Sequence, residues 1–326
     1  MDTILFTHNI PREGLEEILN TCVVLFPPEG KYAFSEEELA FNVQEADAIF
    51  AAGPISRRVI TAGTRLKVIG NYGAGYDKID TIAAAEWNIP VTNLTESTAL
   101  PTAEVALALL LSLYRRIPEL DELLHNGRGK EVFGMGKAMG RTLKGETLGI
   151  VGMGNIGQKM ALLCHTLGME ILYTQRSLLP VNTLPFPATY LPVKDMLPRC
   201  GALSLHLPYT PETHHWLNRE KLSLLPQRTV VINTARGGVL DTVALAEALK
   251  NNRLAGAGLD VFPNEPDIPE ILLDCPHTVF TPHIGTNTAI SRREMAAETA
   301  DCILRILRGM PPRNIVNGVL PVKQKF

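Results

Sequence analysis

The stretch TLGIVGMGNIGQKMALLCHTLGMEILYTQRS, residues 147–177, determines the fold of half of this chain. An apolar strand runs into a glycine turn with Gly152, Gly154 and Gly157, a helical pattern follows, and a second apolar strand ends at Gln175. This order is typical of a dinucleotide-binding unit. Gly152 permits a tight turn, Gly154 lets a pyrophosphate approach backbone N–H groups at the helix N-terminus, and Gly157 lets the helix pack closely on the strand. The stretch therefore predicts a bound dinucleotide.

The end of the second strand indicates which dinucleotide is bound. In units selective for NAD this position carries an acidic residue that binds the adenine ribose hydroxyls and repels a 2′-phosphate. Here the residues are Gln175, Arg176 and Ser177. Gln175 does not repel a phosphate, Arg176 can pair with it, and Ser177 adds a donor. We predict that NADPH is favoured and that NAD is possible; the alternative is a solvated Arg176 and a site that accepts both coenzymes.

Composition narrows the class of protein. The chain has 326 residues, 45% hydrophobic and 20% charged, with a formal net charge of −3, which fits a two-domain globular enzyme and argues against nucleic acid or an anionic membrane as a partner. The N-terminus has no secretory pattern, and no apolar run is long enough to span a bilayer. The five cysteines are scattered without a CxxC pair, and no spacing predicts a metal site. We expect a cytoplasmic protein.

Short apolar strands alternate with helical patterns along the chain, which predicts an α/β fold with two doubly wound parallel sheets. Five strands are expected before residue 95 and six from residue 148 to residue 281. A single long helix is predicted between them, from Pro101 to His125, and a last helix, 291–308, is expected to return to the first unit. The crossings near 97–101 and 285–288 would form a hinge.

Three polar residues follow the later strands, where ligands collect in open parallel sheets. Arg236 follows VVIN, Glu265 follows GLDVF, and His283 follows VFTP. An arginine can hold a carboxylate through two parallel hydrogen bonds and polarise a neighbouring carbonyl. A histidine can deliver a proton, and a buried glutamate beside it would fix its tautomer and favour the imidazolium. Together with a nicotinamide these groups suffice to reduce a 2-oxo acid, although each alone also has a structural explanation.

The chain resembles the D-isomer-specific 2-hydroxyacid dehydrogenases from about residue 45 to residue 318. The stretches that carry the resemblance are NYGAGYDKID (71–80), TAEVALALLL (102–111), LKGETLGIVGMGNIGQKMA (143–161), SLHLPYTPET (204–213), VVINTARGGVLD (230–241), GAGLDVFPNEP (256–266) and FTPHIGTNT (280–288). Within the family, NYGAGYD and ILYTQRS look closest to the glyoxylate and hydroxypyruvate reductases. The segment after the long helix departs from several of those enzymes, since its only aromatic residue is Phe133 and not a tryptophan.

The resemblance implies a flavodoxin-like substrate domain, 1–99 with 287–326, and a Rossmann cofactor domain, 100–286, with a cleft between them. It makes Arg236, Glu265 and His283 the catalytic residues. It implies that backbone N–H groups of Tyr72, Gly73 and Ala74 join Arg236 in holding the substrate carboxylate, and that Asp260 contacts the nicotinamide carboxamide. The full predicted coenzyme site comprises Gly152, Gly154, Asn155, Ile156, Gly157, Gln175, Arg176, Ser177, His206, Pro208, Thr234, Ala235, Asp260, His283 and Gly285.

Two classes of function remain open from the sequence. The first is a reductase of a small 2-oxo acid, glyoxylate-like or hydroxypyruvate-like, that forms the D-2-hydroxy acid; a phosphoglycerate or D-lactate dehydrogenase is a variant of it. The second is a dinucleotide sensor or corepressor-like protein on the same fold, since a fold does not establish a function. The family resemblance also implies pairing of cofactor domains, and we expect a homodimer.

Overall fold

The computed structural model describes residues 1–180 and 183–321. The chain forms two compact units. One comprises Met1–Thr98 with the described residues from Thr286 onward, and the other comprises Ala99–Gly285. Each unit is built on its own parallel sheet with helices between the strands, so the predicted α/β fold with two doubly wound sheets is confirmed.

The first unit contains a five-stranded sheet in the order β2-β1-β3-β4-β5, which is the flavodoxin-like order. All of its strand pairs are parallel, and its central strands are buried, as expected for a sheet covered on both faces. The elements in chain order are β1 (Thr3–Phe6), α1 (Glu16–Thr21), β2 (Val23–Leu25), α2 (Glu36–Asn42), β3 (Ala48–Ala51), α3 (Arg57–Ala62), β4 (Val68–Asn71), α4 (Thr81–Glu86) and β5 (Val91–Thr92).

The second unit contains a seven-stranded parallel sheet in the order β12-β11-β10-β9-β6-β7-β8, with an apolar core on each face. Its two-residue strand β8 was not predicted. The elements are α5 (Ala99–Arg115), α6 (Ile117–His125), α7 (Gly129–Val132), β6 (Thr147–Val151), α8 (Asn155–Thr166), β7 (Glu170–Thr174), β8 (Thr189–Tyr190), α9 (Val193–Met196), β9 (Ala202–Leu205), α10 (Arg219–Ser223), β10 (Val230–Asn233), α11 (Thr242–Lys250), β11 (Gly256–Leu259), α12 (Glu270–Leu273) and β12 (Thr278–Phe280).

The prediction of one helix from Pro101 to His125 is wrong. Helix α5 ends at Arg115, Arg116 adopts a left-handed conformation with φ 56°, and α6 begins at Ile117. The reason lies in Pro118, which has no N–H to donate to the carbonyl of Tyr114 and whose ring would collide with it in a continuous helix. That carbonyl accepts a hydrogen bond of 2.7 Å from the Arg141 N–H instead.

The last helix, α13 (Ala289–Leu307), packs in the first unit, as expected from the sequence. Its apolar residues share a core with β1 and β3. Gly70 on β4 allows this contact, because a Cβ atom there would lie 2.6 Å from Cγ1 of Ile303. The N-terminal and C-terminal parts of the chain thus form one core.

Candidate functional site

The glycine turn after β6 has the conformation that its sequence predicts. Gly152 has φ 92°, and a Cβ atom on it would lie 2.6 Å from the carbonyl oxygen of His206. A Cβ atom on Gly157 would lie 2.2 Å from the carbonyl oxygen of Gly152. A side chain at either position would therefore displace backbone. Gly154 is different, since nothing lies within 4 Å of its Cβ position.

Open space at Gly154 coincides with the start of helix α8. Gly154 is the N-cap of this helix, and neither a side-chain cap nor an acidic residue is present in its first turn. The N-terminus of a helix carries a partial positive charge and N–H groups without intrahelical partners. Asn155, Ile156 and Gly157 supply the first of these N–H groups. The turn therefore fits a pyrophosphate, because it combines donors with room for an anion.

The loop after β7 is tied to the glycine turn through Gln175. Its Oε1 accepts a hydrogen bond of 3.2 Å from the Met153 N–H, and its Nε2 donates to the Ser177 carbonyl. Arg176 and Ser177 are exposed. The pKa of Glu212, on the loop after β9, is lowered mainly by a hydrogen bond with Thr210 and partly by the charge of Arg176.

Three further predicted coenzyme residues follow the neighbouring strands β9 and β10. The Nε2 of His206 lies 2.8 Å from Oγ of Ser204, and burial lowers the pKa of His206 to about 4, so its ring is neutral at physiological pH. Thr234 follows β10, and its buried hydroxyl has no hydrogen-bond partner among the described residues. Such a group costs about 1–3 kcal/mol unless a ligand completes it. This hydroxyl fits a polar group of the coenzyme. Pro208 accepts a hydrogen bond from Oγ1 of Thr213 through its carbonyl.

Arg236 is carried by a braced turn after β10. The side chain of Asn233 donates to the Arg236 carbonyl and accepts from the Ala235 N–H, both at 3.0 Å. The next residue, Gly237, packs directly on the backbone of Phe262, where a Cβ atom would lie 2.0 Å from the carbonyl carbon. The Arg236 turn and the segment leading to Glu265 are therefore in contact.

His283 and Glu265 form the pair that the sequence predicts. The Nδ1 of His283 lies 2.8 Å from Oε2 of Glu265, and Oε1 of the same carboxylate accepts a hydrogen bond of 3.1 Å from the Phe262 N–H. The expectation of a buried glutamate is wrong, since 28% of its side chain and 47% of the His283 side chain are exposed. The segment after Phe262 leaves the sheet before it reaches Glu265, so the pair lies at the surface of the unit.

Asp260 organises the loop that carries His283. It is buried, and its carboxylate accepts hydrogen bonds from Oγ1 of Thr281 at 2.6 Å and from the N–H groups of Ile284 and Gly285 at 2.8 and 3.0 Å. Its carbonyl accepts from the His283 N–H at 2.9 Å. Asp260 thus holds the turn in which His283 adopts φ 54°. Contact with a carboxamide stays a prediction for this residue.

In the first unit, Tyr72, Gly73 and Ala74 follow β4. The Tyr72 N–H donates to the Ala51 carbonyl at 2.7 Å, so it continues the sheet, and the expectation that it holds a carboxylate is corrected. The N–H groups of Gly73 and Ala74 make no hydrogen bond to other described residues. Two asparagines that were not predicted from the sequence hold this loop. Asn71 donates to the carbonyls of Gly73 and Gly75, and Asn93 donates to the carbonyl of Ala74. An asparagine at a strand end is the signal that could have identified them.

A family model described as "D-isomer specific 2-hydroxyacid dehydrogenase, NAD binding domain" matches residues 107–285, more than half of the chain. The chain belongs to this family. The family's similarity extends well beyond that domain: a glyoxylate reductase of Thermococcus litoralis is 36% identical over 325 residues, which cover 96% of each protein. Among solved structures, the TT0316 protein of Thermus thermophilus is 35% identical with a TM-score of 0.84, covering 96% of this chain and 99% of that one.

An NADPH-dependent glyoxylate/hydroxypyruvate reductase of Sinorhizobium meliloti, solved with NADP and malonate, is 29% identical with a TM-score of 0.87, covering 100% of this chain and 99% of that one. This chain is accordingly an NAD(P)-dependent 2-hydroxyacid dehydrogenase with the family's NAD-binding domain. Among its described residues no helix is long and apolar enough to cross a membrane, and no group of three histidine, cysteine or acidic side chains is placed to hold a metal ion.

Proposed function

We propose that this dehydrogenase reduces a small 2-oxo acid of the glyoxylate and hydroxypyruvate type to the D-2-hydroxy acid, with NADPH favoured over NADH. The observation that carries the proposal is the contact of 2.8 Å between Nδ1 of His283 and Oε2 of Glu265, on loops after β11 and β12 that adjoin the Arg236 turn. The names of the relatives from Thermococcus litoralis and Sinorhizobium meliloti support this substrate class.

In the proposed reaction Arg236 binds the substrate carboxylate, because its planar guanidinium offers parallel donors that match two carboxylate oxygens. In the first unit, the N–H groups of Gly73 and Ala74, which make no hydrogen bond to other described residues, are the donors that we propose for a substrate carboxylate. The neighbouring carbonyl oxygen of the substrate then lies close to a fixed positive charge. This charge stabilises the negative charge that develops on that oxygen during reduction.

When bound, a reduced nicotinamide would supply the hydride for the carbonyl carbon of the substrate. His283 delivers the proton to the carbonyl oxygen from Nε2, since Nδ1 faces Glu265. Glu265 accepts a hydrogen bond from Nδ1–H, which fixes the orientation of the ring before the proton is transferred. In the oxidative direction the same ring takes the proton from the hydroxyl group.

For the coenzyme, we propose that the N-terminus of α8 holds the pyrophosphate and that Thr234, Ala235, Asp260 and Gly285 line the nicotinamide end. His206 and Pro208 would also help to hold the coenzyme. At the adenosine end, Arg176 pairs with the 2′-phosphate and Ser177 adds a donor, while Gln175 holds their loop against the glycine turn.

A coenzyme-oxidation assay tests this proposal. The purified protein is mixed with NADPH or NADH and, separately, with glyoxylate, hydroxypyruvate, pyruvate or 3-phosphohydroxypyruvate. Turnover of the first two with NADPH supports the proposal. Preference for pyruvate indicates a D-lactate dehydrogenase, and preference for the phosphorylated acid indicates a phosphoglycerate dehydrogenase. Tight coenzyme binding without turnover of any of the acids would support the sensor or corepressor alternative.

We also propose that the enzyme is a homodimer that pairs through the second unit. Phe133 and Met139 expose 72% and 71% of their surface, and Met139 lines a cavity of about 200 Å³ together with Arg116 and His277. Exposed apolar residues beside a cavity of the same unit fit a second copy of the chain. Sedimentation equilibrium tests this: a dimer that a Phe133→Asp, Met139→Asp variant converts to monomer is expected, and a monomeric parent protein would exclude it.

The state of the cysteines supports a cytoplasmic location for this reaction. All five are free thiols, and four of them, Cys164, Cys200, Cys275 and Cys302, are buried. Burial raises the pKa of Cys164 and Cys200 to about 12, so these thiols stay protonated and unreactive. Buried protonated thiols fit a reducing compartment.

A further inference from the structure

We infer that Asn233 is a positioning residue that sets the place of Arg236 in the substrate site, an inference that rests on the proposed role of Arg236. Asn233 is the last residue of β10 and is fully buried. It does not reach solvent, and its side-chain hydrogen bonds are made to the turn that carries Arg236.

The first step of the argument concerns the two bonds of its amide group. The Nδ2 of Asn233 donates to the Arg236 carbonyl and the Oδ1 accepts from the Ala235 N–H, each at 3.0 Å. One planar side-chain amide thus holds two backbone groups of the same turn, the N–H of Ala235 and the carbonyl of the next residue, Arg236. Since the Asn233 side chain is fully buried and both bonds are partly shielded from solvent, a substitution leaves the backbone groups of the turn without these partners or forces the turn to move.

The second step concerns what else holds the turn. On its far side Gly237 is pressed against the backbone of Phe262, so the turn has no room to move in that direction. The carbonyl of Asn233 also accepts from the Asp260 N–H at 3.0 Å, and the Asp260 carbonyl accepts from the His283 N–H. A continuous series of hydrogen bonds therefore links the Arg236 turn to the His283 turn through Asn233 and Asp260.

A positioning role for Asn233 predicts a different result from a purely stabilising role. In the proposed site, Arg236 binds the substrate carboxylate through two parallel hydrogen bonds. These bonds weaken when the turn shifts by a fraction of an ångström. Loss of the Asn233 amide should thus weaken the carboxylate interaction even in a protein that remains folded. The cost should disappear when Arg236 is absent, because nothing is then left to position.

The experiment is a double-mutant cycle. Asn233→Asp keeps the size and the acceptor but replaces the donor facing the Arg236 carbonyl, and Asn233→Ala removes both bonds. Each is made in the parent protein and in Arg236→Ala. We expect kcat/KM for glyoxylate to fall about 10- to 100-fold in the parent protein but less than about threefold in the Arg236→Ala background. Oxalate binding to the enzyme–NADPH complex should weaken in parallel, and NADPH binding should change less than oxalate binding.

Asn317 offers a matched control in the first unit. Its Oδ1 accepts from the Val91 N–H at 3.1 Å and its Nδ2 donates to the Ile89 carbonyl at 2.8 Å, the same pair of bonds away from the Arg236 turn. Asn317→Ala should lower the melting temperature without changing kcat/KM. If Asn233→Ala does not fold, the double-mutant cycle is measured with the isosteric Asn233→Asp variant alone. Equal losses of kcat/KM in both Arg236 backgrounds would overturn the inference, whereas full activity of Arg236→Ala alone would instead overturn the proposed function.

Discussion

Arg176 decides the choice of coenzyme if the proposed phosphate contact is correct, and Arg176→Ala tests it. The side chain is exposed at the end of β7, so its interaction with a 2′-phosphate is partly screened by water. A hydrogen bond to a charged group under these conditions contributes about 1–3 kcal/mol, which corresponds to a loss of about 5- to 150-fold in NADPH affinity. NADH has no phosphate at this position, and its binding should change little.

The assay compares kcat/KM for NADPH and NADH at saturating glyoxylate in the parent and variant proteins. Arg199→Ala is a suitable control, because Arg199 is also exposed but pairs with Glu170 at the opposite end of β7. A second variant sharpens the test: Glu212→Gln removes a negative charge that interacts with Arg176 and should improve NADPH use about two- to threefold. A parent preference for NADH, or equal losses for both coenzymes in Arg176→Ala, would refute the reasoning.

Four further substitutions test the catalytic groups and the fold. His283→Asn should lower the reductive kcat about 10²- to 10⁴-fold with little change in the NADPH dissociation constant, and near-parent turnover would remove His283 as the proton donor. Glu265→Gln should lower the reductive kcat by less than His283→Asn does, because the ring loses the carboxylate that orients it; an unchanged kcat would contradict this role. Arg236→Lys should cost about 2–5 kcal/mol of transition-state stabilisation, measured as kcat/KM, and retention of half the efficiency would assign Arg236 to another group. Glu298→Gln should destabilise the protein at pH 7, and this difference in unfolding free energy should shrink below about pH 4.5.

The pH dependence expected for Glu298 follows from its contacts. Burial opposes ionisation, but hydrogen bonds from Ser97 and from the Thr95 N–H outweigh it, so the pKa of this carboxyl lies below its ordinary value. A lowered pKa in the folded state means that the stabilisation is complete above the unfolded value and is lost as pH falls through the folded one. Urea denaturation of both proteins at pH 4 and pH 7 measures it. A difference that does not depend on pH would show that the carboxylate charge is not what matters.

The sequence predicted the elements with strong local signals. The glycine turn and the strand ends that carry Arg236 and His283 are each encoded within a few residues. The break between α5 and α6 was missed because the apolar pattern continues through Arg116, and only Pro118 indicates an interruption. Features that depend on distant partners could not be predicted in this way.

Asn233 and Tyr72 show why contacts with distant residues could not be predicted from the sequence. In the sequence Asn233 is only a polar residue at the end of a strand. Its hydrogen bonds with Ala235 and Arg236 form because the chain turns back after β10. Likewise, the Tyr72 N–H was expected to meet substrate, but its partner is Ala51 on the neighbouring strand, 21 positions earlier. The sequence shows which residue types follow each strand. It does not show which hydrogen bonds they make, because these depend on how the strands pair.

The shared core of β1, β3 and α13 has a consequence for synthesis of the protein on the ribosome. Ile4, Phe6 and Phe50 are buried against Ile303 and its neighbours on α13. After β3 has been synthesised, residues 52–288 must still be translated before the first residue of that helix exists. The second unit, which is continuous in sequence, can complete its core earlier. A nascent chain therefore carries an uncovered apolar face for most of its synthesis, and we expect the first unit to be the part that engages chaperones and that aggregates when translation stops early.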